Sequence, residues 1–236
     1  MNFVIPYFKL FNFIYYSMIE GVIFDFNGTL FWDTQYHNKA WDIYLQKYGR
    51  QISDQDKDLY IHGKPNKDIF NFLEQRELTP EELNSRVEEK ESIYREICLN
   101  HSLELAQGAA DFLDFLKLKD IPFTIATSSG LSNVQFYFEF LNLNNWFSIE
   151  KVVYDDGSFK GKPEPDIFLI AAHKIGLPIK LCAIFEDSVT GLKAAVNAKA
   201  GMLFYVKSSG IPVPVLDANV ITDFKQVDRN IFKHII

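Results

Sequence analysis

Asp25 closes the β-prone run Ile23-Phe24-Asp25 and is followed by the turn Phe26-Asn27-Gly28-Thr29-Leu30. A carboxylate at a strand end can act as a nucleophile, and N–H groups exposed by a glycine turn can receive the charge that develops on its target. Three further stretches carry complementary groups. Thr127-Ser128-Ser129-Gly130 offers hydroxyls, Gly161-Lys162-Pro163 an ammonium, and Glu186-Asp187 adjacent carboxylates. Together they form the inventory for transferring a phosphoryl group through a covalent aspartyl intermediate. Asp25 would attack phosphorus, and a magnesium ion held by Asp25 and Asp187 would offset the repulsion between that anion and an anionic substrate. Thr127 and the N–H groups around Gly28 and Ser128 would donate to the equatorial oxygens, while Lys162 neutralises their charge. Thr29 and Ser129 belong to the same two stretches and count with them as substrate-binding candidates.

Taken singly, each stretch also reads as a helix cap or a turn. Their value depends on whether a fold gathers them. Residues 19–26 have the short apolar pattern of a buried parallel strand. A polar, helical region follows, with amphipathic patterns at 34–48, 65–76 and 80–99, the last opening on the cap Thr79-Pro80-Glu81-Glu82. From 106 onward the pattern alternates: helix 108–119, strand 121–127, helix 131–141, a short strand near 151–154, helix 164–175, strand 181–186, helix 189–199 and strand 202–206. Such alternation predicts an α/β fold with a doubly wound parallel sheet. Ligands of these sheets sit beyond the carboxyl ends of the strands, where all four stretches fall.

The expected organisation is a core of residues 18–32 and 106–236, with a small α-helical cap of 33–105 inserted after the first strand. Residues 1–17, apolar but interrupted by Pro6, Lys9 and Asn12, fit neither a membrane span nor a signal peptide. They read as an appendage or a misassigned start. The net charge of −7 argues against nucleic acid and anionic membranes as partners, though a local cation can still bind a small anion. Cys98 and Cys182, in apolar surroundings without metal spacing, read as buried free thiols, and a cytoplasmic setting follows. No surface motif indicates a protein partner.

The four motifs, Asp25-Phe-Asn-Gly-Thr-Leu, Ile125-Ala-Thr-Ser-Ser, Gly161-Lys-Pro-Glu-Pro-Asp-Ile-Phe and Phe185-Glu-Asp-Ser-Val-Thr-Gly-Leu, resemble those of the haloacid dehalogenase (HAD) superfamily. The resemblance runs from Ile19 to about Val206, and its nearest form is the subfamily of β-phosphoglucomutases and small-metabolite phosphatases. It implies a HAD Rossmann-like core, Mg2+ as cofactor and a small phosphorylated metabolite as partner. By position it implies Asp25 as nucleophile, Thr127 and Lys162 as phosphate ligands, and Asp187 as magnesium ligand with Glu186 acting beside it through water. The backbone carbonyl of Asn27 would be a further magnesium ligand. His37 and Trp41 match a His and a Trp of the first cap helix. Gly63-Lys64-Pro65-Asn66-Lys67 matches a loop reaching the substrate, with Asn66 where β-phosphoglucomutases carry Arg.

One departure bears on mechanism. Position 27 is an aspartate acid/base in most of these phosphatases and mutases, and Asn27 cannot exchange a proton at neutral pH. A positioned acid/base typically contributes ~10²–10⁴ in rate. The leading reading is a phosphatase whose proton comes from His37 or solvent, or whose leaving group needs little protonation. A mutase is a second reading, weakened by Asn27 and Asn66. A phosphate-binding or regulatory protein of low turnover is the third. Dehalogenation is disfavoured because it leaves Glu186 and Asp187 without a task.

Overall fold

A computed structural model describes residues 19–61, 64–208 and 217–232. The expected appendage 1–17 and Gly63 lie outside the described residues. Strand β1 (Gly21–Phe24) is buried along its whole length because it is flanked on both sides. It pairs in parallel with β2 (Phe123–Ile125) through Val22 and Phe123, and with β3 (Cys182–Glu186) through Gly21 and Cys182. β4 (Met202–Val206) and the edge strand β5 (Asn219–Ile221) continue the parallel sheet, in the order β2-β1-β3-β4-β5.

Alternate residues of these strands point to opposite faces. Phe24, Ile125, Phe185, Phe204 and Val206 face one layer, filled by α5 (Ala109–Leu118) and α6 (Leu131–Phe140). Ile23, Ala126, Ile184, Leu203 and Tyr205 face the other, filled by α7 (Asp166–Lys174) and α8 (Val189–Ala198). The expected doubly wound architecture is therefore present. The chain's many phenylalanines find their role in the first layer. Phe24 lies against Phe112, Phe123, Phe147, Phe185 and Phe224, and Phe185 stacks on Phe204 with ring centroids 4.3 Å apart.

Between β1 and α5 come only helices among the described residues: α1 (Thr34–Lys47), α2 (Asp54–Tyr60), α3 (Asn66–Glu74) and α4 (Pro80–Leu99). They enclose a second apolar interior of Trp41, Tyr44, Leu45, Ile61, Ile69, Phe70 and Leu73. Helix α4 starts at the expected cap: Thr79 and Glu82 form a reciprocal capping box with Pro80 in the first turn. Its far end buries Tyr94, Ile97 and Cys98 in the sheet's first layer, which seats the helical segment on the core. Both cysteines are free and buried, as expected.

Three local expectations change. The strand near 151–154 is a 3-10 turn, Ile149–Lys151, followed by one parallel bridge between Val153 and Ala126. Only Val153 can exchange bonds with Ile125 and Thr127 before the chain leaves the sheet. Helix α2 was not foreseen because DQDKDLY is mostly polar, and what starts it is Ser53, whose hydroxyl accepts from Asp56 N. Strand β5 is short and mostly exposed, so it carries little pattern.

Candidate active site

The order β2-β1-β3 sends the chain from β1 toward one edge and from β3 toward the other. The loops after these neighbouring strands diverge and leave a crevice at their carboxyl ends. Asp25 follows β1 directly, its N–H bonded to Phe185 O at 2.9 Å, and Glu186 and Asp187 leave β3 beside it. Lys162 arrives from the loop before α7 and bridges them: Nζ donates to Asp25 Oδ1 at 2.6 Å and to Glu186 Oε1 at 2.7 Å. The other Glu186 oxygen accepts from Ser188 N at 2.8 Å. Asp187 Oδ1 accepts from Thr29 Oγ1 at 3.3 Å.

Carboxylate oxygens of Asp25, Glu186 and Asp187 lie within 4.8 Å of one another. Three carboxylates and one ammonium leave a formal charge of −2 in a buried cluster. The crowding shifts the ionisation of each group. Burial, then repulsion from Glu186, pushes the Asp25 carboxyl up to about 7 against the pull of Lys162. Burial, with Glu186 and Asp25, drives Asp187 well above the carboxylate range. Burial alone would lower the Lys162 ammonium, but Asp25 and Glu186 outweigh it and raise it. All-oxygen donors with an excess charge of two fit a hard divalent cation.

The turn after β1 uses Gly28 for its shape, at φ +78°. Its N–H donates to Phe31 O at 2.7 Å and to Asp33 Oδ1 at 3.0 Å, so this group is committed within the turn. Ser128 is exposed, and Ser129 N donates to Thr127 Oγ1 at 3.1 Å. Asn27 stands at the centre of a polar network. Its Nδ2 donates to Asp33 Oδ2 at 2.6 Å and to Tyr137 Oη at 2.8 Å. Its Oδ1 accepts from Ser129 Oγ at 2.8 Å and more distantly from Thr127 Oγ1 at 3.4 Å.

Asp33 was not among the residues picked out of the sequence. An Asp immediately before a helix reads as a cap, yet this side chain makes no capping bond and is fully buried. Besides Asn27 and Gly28 it accepts from Tyr94 Oη, and His37 Nε2 lies 3.4 Å away. Burial raises its carboxyl, but His37 and the hydrogen bonds from His37, Tyr94 and Asn27 hold it below its ordinary value.

His37 stacks flat on Tyr94, with centroids 3.9 Å apart. Its Nδ1 faces Lys90 Nζ at 2.8 Å. Trp41 lies in the apolar interior of the helical segment, with Lys90 Nζ 5.0 Å from its ring. Lys64 is exposed and Asn66 half-buried, at the start of α3. The same loop lies near the core: a β-carbon on Gly161 would come within 3.9 Å of Pro65 Cγ. The structure thus gathers Asp25, Lys162, Glu186, Asp187 and Thr29 in one cluster, joins Asn27, Thr127 and Ser129 in a second beside it, and ties His37 to the second through Asp33.

Residues 19–199 match the family of haloacid dehalogenase-like hydrolases. The chain belongs to this family. Its resemblance extends to a solved HAD hydrolase, family IA, variant 3, from Entamoeba histolytica. That structure is 34% identical, covers 90% of this chain and 96% of its own, and superposes with a TM-score of 0.83. A phosphorylated carbohydrates phosphatase of Thermotoga maritima is 28% identical over 196 residues, 81% of this chain and 87% of its own. The fructose-1-phosphate phosphatase YqaB of Escherichia coli is 29% identical over 191 residues, 76% and 93% of the respective chains. The chain is a hydrolase, and the two bacterial relatives are named as phosphatases. No helix among the described residues is long and apolar enough to cross a membrane.

Proposed function

We propose that the chain is a magnesium-dependent phosphatase that hydrolyses a small phosphorylated sugar or related metabolite through an aspartyl-phosphate intermediate. The observation that carries this reading is the Lys162 bridge between Asp25 and Glu186, with Asp187 alongside, at the carboxyl ends of adjacent strands. The names of the two bacterial phosphatases support the substrate class.

Asp25, Asp187 and the Asn27 backbone carbonyl would hold magnesium, with Glu186 steadying the group from its bonds to Lys162 and Ser188. The ion supplies positive charge beside the transferred phosphoryl group. An Asp25 oxygen forms the bond to phosphorus as the bond to the substrate oxygen breaks, and the alcohol leaves with a proton. Lys162 turns from two carboxylates to the phosphoryl oxygens, and Thr127, held only at 3.4 Å by Asn27, is free to donate to them. Water then attacks phosphorus, releasing phosphate and regenerating the Asp25 carboxylate. The Asn27 amide takes no part as an acid. His37, fixed between Asp33 and Lys90, is tied to the site's polar network and not to Asp25, so the proton for the leaving oxygen comes from solvent.

Residues 33–105 form a cap in this reading, and the Lys64–Asn66 loop beside Gly161 is the part that meets the substrate's distal end. Closure excludes bulk water. A mutase would need an acid/base in each half-reaction, which Asn27 does not give. A low-turnover phosphate binder is the second reading, favoured by the occupied Asn27 amide. Phosphate release with magnesium, across a panel of sugar phosphates and an activated aryl phosphate, separates the two. Turnover of a sugar phosphate that Asp25→Asn abolishes supports the phosphatase; cleavage of the aryl phosphate alone supports the binder.

A further inference from the structure

Lys90 of α4 is buried, with 3% of its side chain exposed. Its Nζ donates to Glu91 Oε1 at 2.8 Å and lies 2.8 Å from His37 Nδ1, with the rings of Trp41 and Tyr94 at 5.0 and 5.5 Å. An ammonium has three hydrogens, and these contacts surround it. Glu91 is the acid that compensates it. Burial would raise the Glu91 carboxyl, but Lys90, His37 and the hydrogen bonds from Lys90 and Asn133 hold it at about 2.

The pair lies on the seam between α4 and α6. Asn133 of α6, 3% exposed, donates to Glu91 Oε2 at 2.7 Å and accepts from Arg95 at 2.7 Å, and Arg95 also meets Glu88. Two connections join this seam to the crevice. Asn133 belongs to the first turn of the helix into which Thr127 and Ser129 lead, and Lys90 reaches the Asn27 network through His37 and Asp33. The loop at Pro65 approaches Gly161, before α7, so it borders the crevice from the other face of the sheet.

We propose that Glu91 is a specificity-determining residue: it makes the α4–α6 seam a receptor for the hydroxyls of an uncharged polyol chain, and the substrate is accordingly a monophosphate without a second anionic group. This deepens the phosphatase reading and rests on it. Exposure sets the polarity. Glu91 keeps 14% of its side chain exposed against 3% for Lys90, so the part of the pair open to a ligand is the carboxylate. Its two oxygens hold one bond each from Lys90 and Asn133, which leaves lone pairs for hydroxyl donors. The charge balance agrees. Lys90 and Arg95 face Asp33, Glu88 and Glu91, and even a protonated His37 brings these residues only to neutrality. A second phosphate would meet no surplus of positive charge there. Lys64 and Lys67 are exposed, where water and salt screen them.

The test uses probes that differ by one phosphate: fructose 1-phosphate against fructose 1,6-bisphosphate, and glucose 6-phosphate against glucose 1,6-bisphosphate. For wild type, Glu91→Gln, Lys90→Gln and Glu88→Gln it measures kcat/KM, the dissociation constant by calorimetry with magnesium, and the thermal midpoint. Wild type is expected to favour the monophosphate of at least one pair by roughly tenfold or more, as one uncompensated charge close to a doubly charged group dictates. Glu91→Gln should shift that ratio toward the bisphosphate by roughly tenfold, and Lys90→Gln should shift it the other way. Glu88→Gln, which alters the same seam away from Lys90, should scale both probes alike. A purely structural Glu91 would lower both probes equally along with the midpoint, and that result overturns the proposal. So does wild type that binds the bisphosphates as tightly as the monophosphates, or binds none of the four. Should Glu91→Gln fail to fold, the opposite shift in Lys90→Gln carries the test, and its absence overturns the proposal as well. Affinity is read without turnover, so probes that bind with the expected preference but release no phosphate sink the phosphatase reading and leave the role of Glu91 standing.

Discussion

The Asp187 carboxylate fills the space that a side chain on residue 28 would need: a β-carbon there would lie 2.0 Å from Oδ2. Gly28 also has φ +78°, so two independent constraints require glycine. Gly28→Ala is expected to lose about 1–2 kcal/mol from the left-handed backbone alone. The Asp187 carboxylate must also shift from its present place. The magnesium concentration for half-maximal phosphatase activity should therefore rise by roughly tenfold, because one ligand of the proposed site is displaced. Unchanged magnesium dependence in a folded Gly28→Ala variant would argue that Asp187 is not a ligand.

Lys162 is the sole ammonium among the described contacts of Asp25 and Glu186. Lys162→Met keeps much of the side-chain volume but leaves both carboxylates uncompensated in a buried place. Breaking a buried pair in this way costs about 3–5 kcal/mol. Denaturation without metal should show most of that loss, and magnesium should restore part of it by supplying positive charge. Turnover should fall by at least about 10²-fold even with saturating magnesium, as expected when a donor to the transferred group is removed.

How far the site could be read in advance depended on which residues carry their own pattern. The four strand-end motifs were legible because parallel strands buried on both faces are apolar runs, and a charged group at the end of such a run is conspicuous. The buried cluster of Asp25, Lys162, Glu186 and Asp187 follows from topology, since adjacent parallel strands present their carboxyl ends together. Asp33 was not legible: locally it is an Asp before a helix, and its inward turn depends on Tyr94 of α4 and on Asn27, both distant in pattern. Tyr137 was hidden for a similar reason, because a tyrosine on the buried face of α6 reads as core until its hydroxyl is placed against Asn27. Helix α2 and strand β5 were missed because short, exposed elements owe their existence to caps and edge pairing and not to apolar periodicity.

The pH dependence of stability should reveal the unbalanced charge. Asp25 holds its proton up to about 7 in the fold, against 3.8 for an unperturbed side chain. Between those values the folded chain binds a proton that the unfolded chain has released, so rising pH removes stability from the metal-free protein. Asp187 is shifted in the same direction. Asp33 is shifted downward, so its contribution is lost only as pH falls below the ordinary carboxylate range and does not obscure this window. The thermal midpoint without metal should fall between about pH 5 and about pH 8, by a stability change on the order of a few kcal/mol. Magnesium competes with these protons, so the midpoint rise it causes should be larger at the higher pH. A magnesium-induced rise that ignores pH would place the ion elsewhere.

Asp25→Asn should change activity and stability in opposite directions. The amide cannot form the phosphoryl bond, so sugar-phosphate turnover should drop by at least about 10³-fold, the scale on which loss of a nucleophile is felt. The same substitution removes one of three crowded carboxylates while keeping an oxygen that can accept from Lys162, which retains Glu186 as its ionic partner. Without metal the variant should melt higher than wild type, since repulsion with Glu186 and Asp187 is gone. With magnesium the order should narrow or reverse, because wild type gains a ligand that the variant has lost. Two melting curves per protein, with and without magnesium, check both signs. A variant that melts lower than wild type in the absence of metal would mean that the ion pair with Lys162 outweighs the repulsion, and that the cluster is balanced without a cation.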